Sequence, residues 1–346
     1  MRVLVTGGTG FVGAHTVKSL LERGHEVRLF VRSPDRVVPA LAPLGYGDID
    51  DIVTGDVTDQ GAVERAMEGC DAVVHAASVY SLDVRRAKEI AQTNVQGTRL
   101  VLETALAAGL DPVVHVSSYV SLVPVQSPVV SATSTVGTGV GPYSTSKAES
   151  ERVARELQER GEPVVSVLPG SVWGPHDPHF GESHQIATNF LKGMMRFVPR
   201  SGRVPVVDVR DVGEVIAATI EPGKGARSYL AGGHLLSTPE MGALLCRVTG
   251  RNIRMFAIPT SAATAGGPMY SAFQAISPWR LPLSREVVRV AAQEIQEVDD
   301  ANVRDELGVT FRQSEETFRD TVLSLLEDGR IKRKEAGGLG EALPVA

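Results

Sequence analysis

Cysteine is nearly absent. Cys70 and Cys246 are the two in 346 residues. They are far apart, which excludes a disulfide framework and a cysteine-based metal site and suits a reducing cytoplasm. Long apolar runs are missing too. None reaches the roughly 18 residues a membrane-spanning helix needs. Met1-Arg2 leads straight into Val3-Leu4-Val5, with no signal-peptide pattern. Neither sign of charge dominates: 41 acids and 35 bases are interspersed, for a net charge of −6. Nothing in that balance points to nucleic acid or an anionic membrane surface. There is no internal repeat. His176, Asp177, His179 and His184 cluster in sequence but match no zinc spacing, so no metal is expected and they are read as lining or covering a cleft. What remains is an ordinary globular composition, 42% hydrophobic and 22% charged, long enough for one large α/β domain or two joined ones.

The first thirty residues read as strand, turn, helix, strand. Arg2 to Thr6 is a short buried strand, and Gly7-Gly8-Thr9-Gly10-Phe11-Val12-Gly13 follows at once. Val17, Leu20 and Leu21 then recur at helical spacing until Gly24. Three glycines at this spacing serve a dinucleotide. One permits the tight turn, one lets the backbone approach a pyrophosphate, and one lets the helix pack on the strand. The helix N-terminus then offers unpaired N–H groups to the phosphates. Gly7, Thr9, Gly10, Phe11, Val12 and Gly13 are the expected contacts. The second strand, Glu26 to Val31, ends in Arg32 where an acid would select NAD. Arg32, helped by Ser33 or Arg36, favours NADP(H) over NAD(H); the alternative is a solvated loop cation.

Later strands continue the pattern. One lies near 49–54 and ends in Gly55-Asp56-Val57. Asp56 could hold the adenine amino group or cap the next helix. Ala72–His75 runs into Ala76 and Ala77, small enough for a cofactor to lie across the sheet edge. His75 and His115 sit in apolar strands and read as packed histidines. A long helix over 86–109 carries Asn94, which fixes local backbone. The strand Pro112–Val116 ends in Ser117-Ser118.

Tyr143 and Lys147 stand four apart where an amphipathic pattern begins, so they share one helix face. A free tyrosine titrates near 10, and a nearby cation lowers that value. Such a tyrosine can pass a proton to or from a carbonyl or hydroxyl oxygen.

Gly7-x-x-Gly10-x-x-Gly13, Asn94, Ser117-Ser118 and Tyr143-x-x-x-Lys147 together resemble the short-chain dehydrogenase/reductase superfamily, extended type, in the NAD-dependent epimerase/dehydratase group. The likeness continues through Leu168-Pro169-Gly170-Ser171, Val207–Val212 and Glu306-Leu307-Gly308. It implies a Rossmann-type doubly wound parallel sheet with a smaller C-terminal substrate domain, and hydride transfer between nicotinamide and a carbonyl or carbinol carbon. By resemblance Tyr143 is the general acid/base, and Ser118, 25 residues earlier, orients the substrate oxygen, with Ser117 as the alternative. Lys147 binds the nicotinamide ribose and depresses the tyrosine pKa. Pro169 and Gly170 touch the cofactor.

Within that superfamily three departures point away from nucleotide-sugar epimerases and dehydratases. Gly170-Ser171 replaces their asparagine, Val204 stands where their arginine aligns with Arg203 one position off, and Arg32 replaces the acid. They point toward the group resembling dihydroflavonol reductases and 3β-hydroxysteroid dehydrogenases, acting on a small apolar carbonyl or alcohol. A non-catalytic NADP-binding sensor is the alternative from another class. The expected layout is a dinucleotide domain over 1–175 with a segment returning at 204–232, and a substrate domain over 176–203 and 233–330. A loose tail over 331–346 follows. Val204–Val207 reads as a strand returning to the sheet, and a helix is expected around 186–197. Val125–Val140, uncharged and aperiodic, reads as a mobile loop beside the substrate. Met255, Phe256, Met269, Tyr270, Phe273 and Trp279 could form an apolar substrate wall or ordinary core. The 86–109 and 143–160 helices could pair across a two-fold in a homodimer.

Overall fold

Seven short runs rich in Val, Leu and Ala become one parallel sheet. The computed structural model describes residues 1–79, 86–259 and 285–342. The strands are β1 (Arg2–Thr6), β2 (Glu26–Val31), β3 (Ile52–Thr54), β4 (Ala72–His75), β5 (Val113–Val116), β7 (Val164–Pro169) and β11 (Arg227–Ala231). Their spatial order is β11-β7-β5-β4-β1-β2-β3. Every neighbouring pair is parallel. Central strands covered on both faces need no polar alternation, and all of β4, β5 and β7 is buried. The winding reverses between β1 and β4. In such sheets a crevice opens there, outside the strands' carboxyl ends.

Helices cover both faces. On one, Phe11–Glu22 packs against Val209–Ala218 and buries Val17, Leu20, Val212 and Ile216. On the other, Gln60–Met67, Gly97–Ala107 and Pro142–Glu159 bury Val63, Leu102 and Ala154 against Leu4, Val73 and Val113. A third apolar cluster joins the helices Glu182–Leu191, Thr238–Thr249 and Ser314–Glu327. There Trp173 stacks on Phe318 with ring centroids 4.6 Å apart.

Among the described residues, three smaller sheets accompany the large one. β8 (Ser171–Trp173), β10 (Val204–Asp208) and β12 (His234–Leu236) form one, β9 (Phe197–Pro199) and β13 (Phe256–Ile258) another, and β6 (Val129–Ser131) and β14 (Glu297–Asp299) the last. The expected α/β doubly wound class holds.

Several elements differ from the sequence reading. Val204–Asp208 is a strand but does not return to the main sheet. It pairs with β8 and β12, and β11 closes the main sheet instead. The long helix over 86–109 is interrupted by a π turn at Gln92–Gln96. There Asn94 accepts from the Val79 N–H at 2.7 Å and donates to Ser146 Oγ at 3.0 Å. The helix expected around 186–197 runs Glu182–Leu191 instead, and Phe197 lies in β9. Val125–Val140 is not a free loop. Its Val129–Ser131 pairs with β14, and the Ala132 and Ser134 carbonyls accept from Arg155. Gly137 and Gly139 donate to the Ser121 and Val123 carbonyls. Backbone groups found their partners on distant segments, which composition cannot reveal. The stretch after 331 is not loose as far as residue 342. It forms the helices Arg333–Ala336 and Gly338–Ala342, and Ile331 and Ala336 are buried in the third cluster.

Candidate active site

The carboxyl ends of β1, β2, β4, β5 and β7 release their chains into one cleft of about 740 Å³. Gly7, Gly10, Phe11, Val12 and Gly13 line it after β1, Arg32 and Arg36 after β2, and Ala76 and Ser78 after β4. Ser117 and Ser118 follow β5, and Pro169 and Gly170 end β7. Thr9, Asp56, Val57 and Ala77 are not in the wall. Asp56 braces its own turn, accepting from the Thr58 N–H at 2.9 Å and the Thr58 hydroxyl at 2.6 Å. Asp59 is the residue that caps the next helix. Val57 is buried against Gly97.

The glycines divide their work as the chemistry of a phosphate turn requires. Gly7 has φ +73°, and a Cβ there would meet the Ala76–Ala77 backbone at 2.6 Å. A Cβ on Gly13 would meet the Gly7 carbonyl at 2.1 Å. Both are packing glycines. A Cβ on Gly10 would meet only the Gly7 oxygen, at 3.2 Å, so its open side faces the cleft. Among the described residues no side chain caps the Phe11–Glu22 helix, and no acid stands in its first turn. That end suits an anion. The residues present therefore fit a nicotinamide dinucleotide.

Tyr143 and Lys147 lie in the first turns of Pro142–Glu159 and both line the cleft. The Lys147 Nζ donates to the Val116 carbonyl at 3.1 Å. Burial pulls its pKa down to about 8, opposed by Glu151. Tyr143 corrects the sequence reading. Its pKa is pushed above the ordinary tyrosine range, not below it. Removal from water is the larger cause, followed by the charges of Glu182 and Glu286. Ser118 Oγ accepts from the Val120 N–H at 3.3 Å and caps the following turn. Ser117 Oγ is buried without a partner among the described residues. Both serines line the cleft.

Behind this site His75 and His115 are packed, as expected. His75 bridges Thr6 at 2.8 Å and Thr98 at 3.1 Å. Burial, and then the Lys147 charge, lowers its pKa to about 3.

Beyond the tyrosine the wall turns apolar: Phe180, Ile186, Phe190, Met195, Met241, Leu245 and Met255. Met255 is in this wall. Phe256 is not; it is exposed and meets Phe197 at 5.6 Å. Met269, Tyr270, Phe273 and Trp279 lie outside the described residues. Asp177 and His179 line the cleft, while His184 is buried against the Phe11 ring. Sequence reading missed Glu182 and Glu286, which also line it. An acid opening a helix signals only the helix dipole, and no spacing links residue 286 to residue 143.

Residues 3–232 match the model of the NAD dependent epimerase/dehydratase family. A Synechocystis protein named for dihydroflavonol 4-reductase is 34% identical over 255 residues, 71% of this chain and 72% of its own. Sterol demethylase protein B of Methylococcus capsulatus is 32% identical over 262 residues, 75% of this chain and 78% of its own. The dTDP-glucose 4,6-dehydratase DesIV of Streptomyces venezuelae, solved with NAD and TYD bound, superposes with a TM-score of 0.73 at 25% identity. That match covers 95% of this chain and 98% of DesIV. The chain belongs to the NAD dependent epimerase/dehydratase family, among the extended short-chain dehydrogenases/reductases. It is an NAD(P)-dependent oxidoreductase.

Proposed function

We propose that the protein is an NADP(H)-dependent reductase of a small, largely apolar ketone or aldehyde, able to oxidise the matching alcohol. The observation that carries this reading is the convergence of Ser118, Tyr143 and Lys147 on one cleft whose other end is the glycine turn. Bound there, the nicotinamide supplies or accepts the hydride. Tyr143 gives its proton to the carbonyl oxygen, and the Ser118 hydroxyl donates a hydrogen bond to the same oxygen. The Lys147 ammonium stabilises the phenolate left behind. Gly10 admits the pyrophosphate, and Gly7 and Gly13 close the turn that holds it. Arg32 and Arg36, exposed at the end of β2, favour a 2′-phosphate.

The lining charges favour a carbonyl substrate over a nucleotide sugar. Among the described residues the lining cations are Arg32, Arg36, Arg86 and Lys147, and Arg86 is held by Glu89 at 2.7 Å. The acids Asp177, Glu182 and Glu286 accompany the apolar wall. Arg203 does not line the cleft. It pairs with Glu240 at 3.0 Å, and Val204 stands in the wall. Among the described residues, the wall that holds Val204 presents carboxylates and no arginine to a diphosphate.

The test is NADPH oxidation over a panel of acetophenone, cinnamaldehyde and a 3-ketosteroid. Tyr143→Phe should lower kcat about a thousandfold while NADPH binding persists. Full activity in that variant would overturn the reading.

A further inference from the structure

Glu286 reaches the catalytic helix from far along the chain. It belongs to the helix Arg285–Ala291 and is 7% exposed. Its Oε1 accepts the Ser144 N–H at 2.6 Å across 142 residues. Ser144 follows Tyr143 in the first turn of Pro142–Glu159, where N–H groups lack intrahelical partners. Negative charge is favoured at such an end. This helix has no acid in its own first turn, and Gly141 offers no capping side chain. Glu286 supplies both from across the cleft. Its Oε2 is buried and has no hydrogen-bond partner among the described residues. A Cβ on Gly141 would meet that oxygen at 2.3 Å. Glycine at 141 therefore makes room for the carboxylate.

We propose that Glu286 is a positioning residue for the carbonyl chemistry: it clamps the first turn of the helix bearing Tyr143 and Lys147 and fixes a negative charge beside the phenol. This rests on Tyr143 being the proton donor. Glu182 at the start of Glu182–Leu191, Glu286, Tyr119 after β5 and Lys147 on its own helix line the cleft with Tyr143. Asp177 and His179 lie along the same wall. Glu182 and Glu286 both favour the protonated phenol. A proton held until the substrate oxygen requires it makes Tyr143 an acid in the reducing direction. Glu286 also grips the helix backbone, through the Ser144 N–H.

The experiment compares wild type, Glu286→Gln, Gly141→Ala and Tyr143→Phe, using NADPH and the panel carbonyl turned over fastest. Gln can still accept the Ser144 N–H but carries no charge. In Glu286→Gln the basic limb of the kcat/KM profile should move to lower pH by roughly one unit, with NADPH affinity unchanged. Gly141→Ala keeps the charge but displaces it, so its profile should move the same way and its kcat should fall. If Glu286→Gln and Gly141→Ala both give profiles that superimpose on wild type while Tyr143→Phe is inactive, the role of Glu286 is refuted and the reductase reading stands. If Tyr143→Phe is fully active, the reductase reading falls, and the role of Glu286 falls with it.

Discussion

Lys147 works against the stability of the chain that holds it. Its ammonium is buried, and its pKa falls from 10.5 to about 8. The folded value lies below the unfolded one. Between those values the unfolded chain therefore binds more protons than the folded chain, and stability rises with pH across that window. The penalty is fully present below about pH 8. Lys147→Met removes it but leaves the Val116 carbonyl without its donor, which returns part of the gain. Urea unfolding of the cofactor-free variant at pH 7 should show a gain of about 1–2 kcal/mol, shrinking by pH 10, with activity lost. Lower stability at pH 7 would mean that the contact to Val116 outweighs desolvation. On the proposed reading Lys147 serves the chemistry at the expense of stability.

The turn between β1 and the Phe11–Glu22 helix carries glycines whose substitution should fail in different ways. At Gly13 a Cβ strikes the Gly7 carbonyl, so Gly13→Ala should cost about 3 kcal/mol of folding stability. At Gly10 the backbone, φ −91°, suits alanine, and the space in question belongs to the ligand. Gly10→Ala should melt within a few degrees of wild type, by roughly 1 kcal/mol or less, yet bind NADPH at least about tenfold more weakly. Calorimetry beside fluorescence titration separates the two. Equal behaviour of both variants would refute this division of labour.

At the scale of the whole molecule, the proposed reading sets Arg32 and Arg36 of the cleft against the dinucleotide and the acids Asp177, Glu182 and Glu286 beside the substrate. Arginines that meet phosphate make binding sensitive to salt. NADPH affinity should weaken between 0.05 and 0.5 M salt, while the KM of a neutral ketone stays level. Arg32→Asp should flatten that slope and turn preference toward NADH. An unchanged slope and preference would remove Arg32 from the site. The glycine turn, the Tyr143–Lys147 pair and the ends of β2 and β4 were legible because each is local, a spacing within one turn or one strand. The rest joins distant segments. Glu286 belongs to Tyr143 only through folding. The Val125–Val140 stretch looked free because its partners, β14 and Arg155, lie elsewhere in the chain. β10 and β11 both carry apolar residues, and composition alone does not decide which one joins the main sheet.

β11 carries one more consequence. The sheet that holds the dinucleotide is completed by Arg227–Ala231, which the chain reaches only after building much of the opposite wall. A cut near residue 175 would leave β7 as an open edge, buried in the intact chain and available to any neighbouring strand once bare. The cofactor half is therefore not a detachable cassette. A chimera that exchanges it between relatives has to carry Arg227–Ala231 along, together with the Val209–Ala218 helix that packs beneath it.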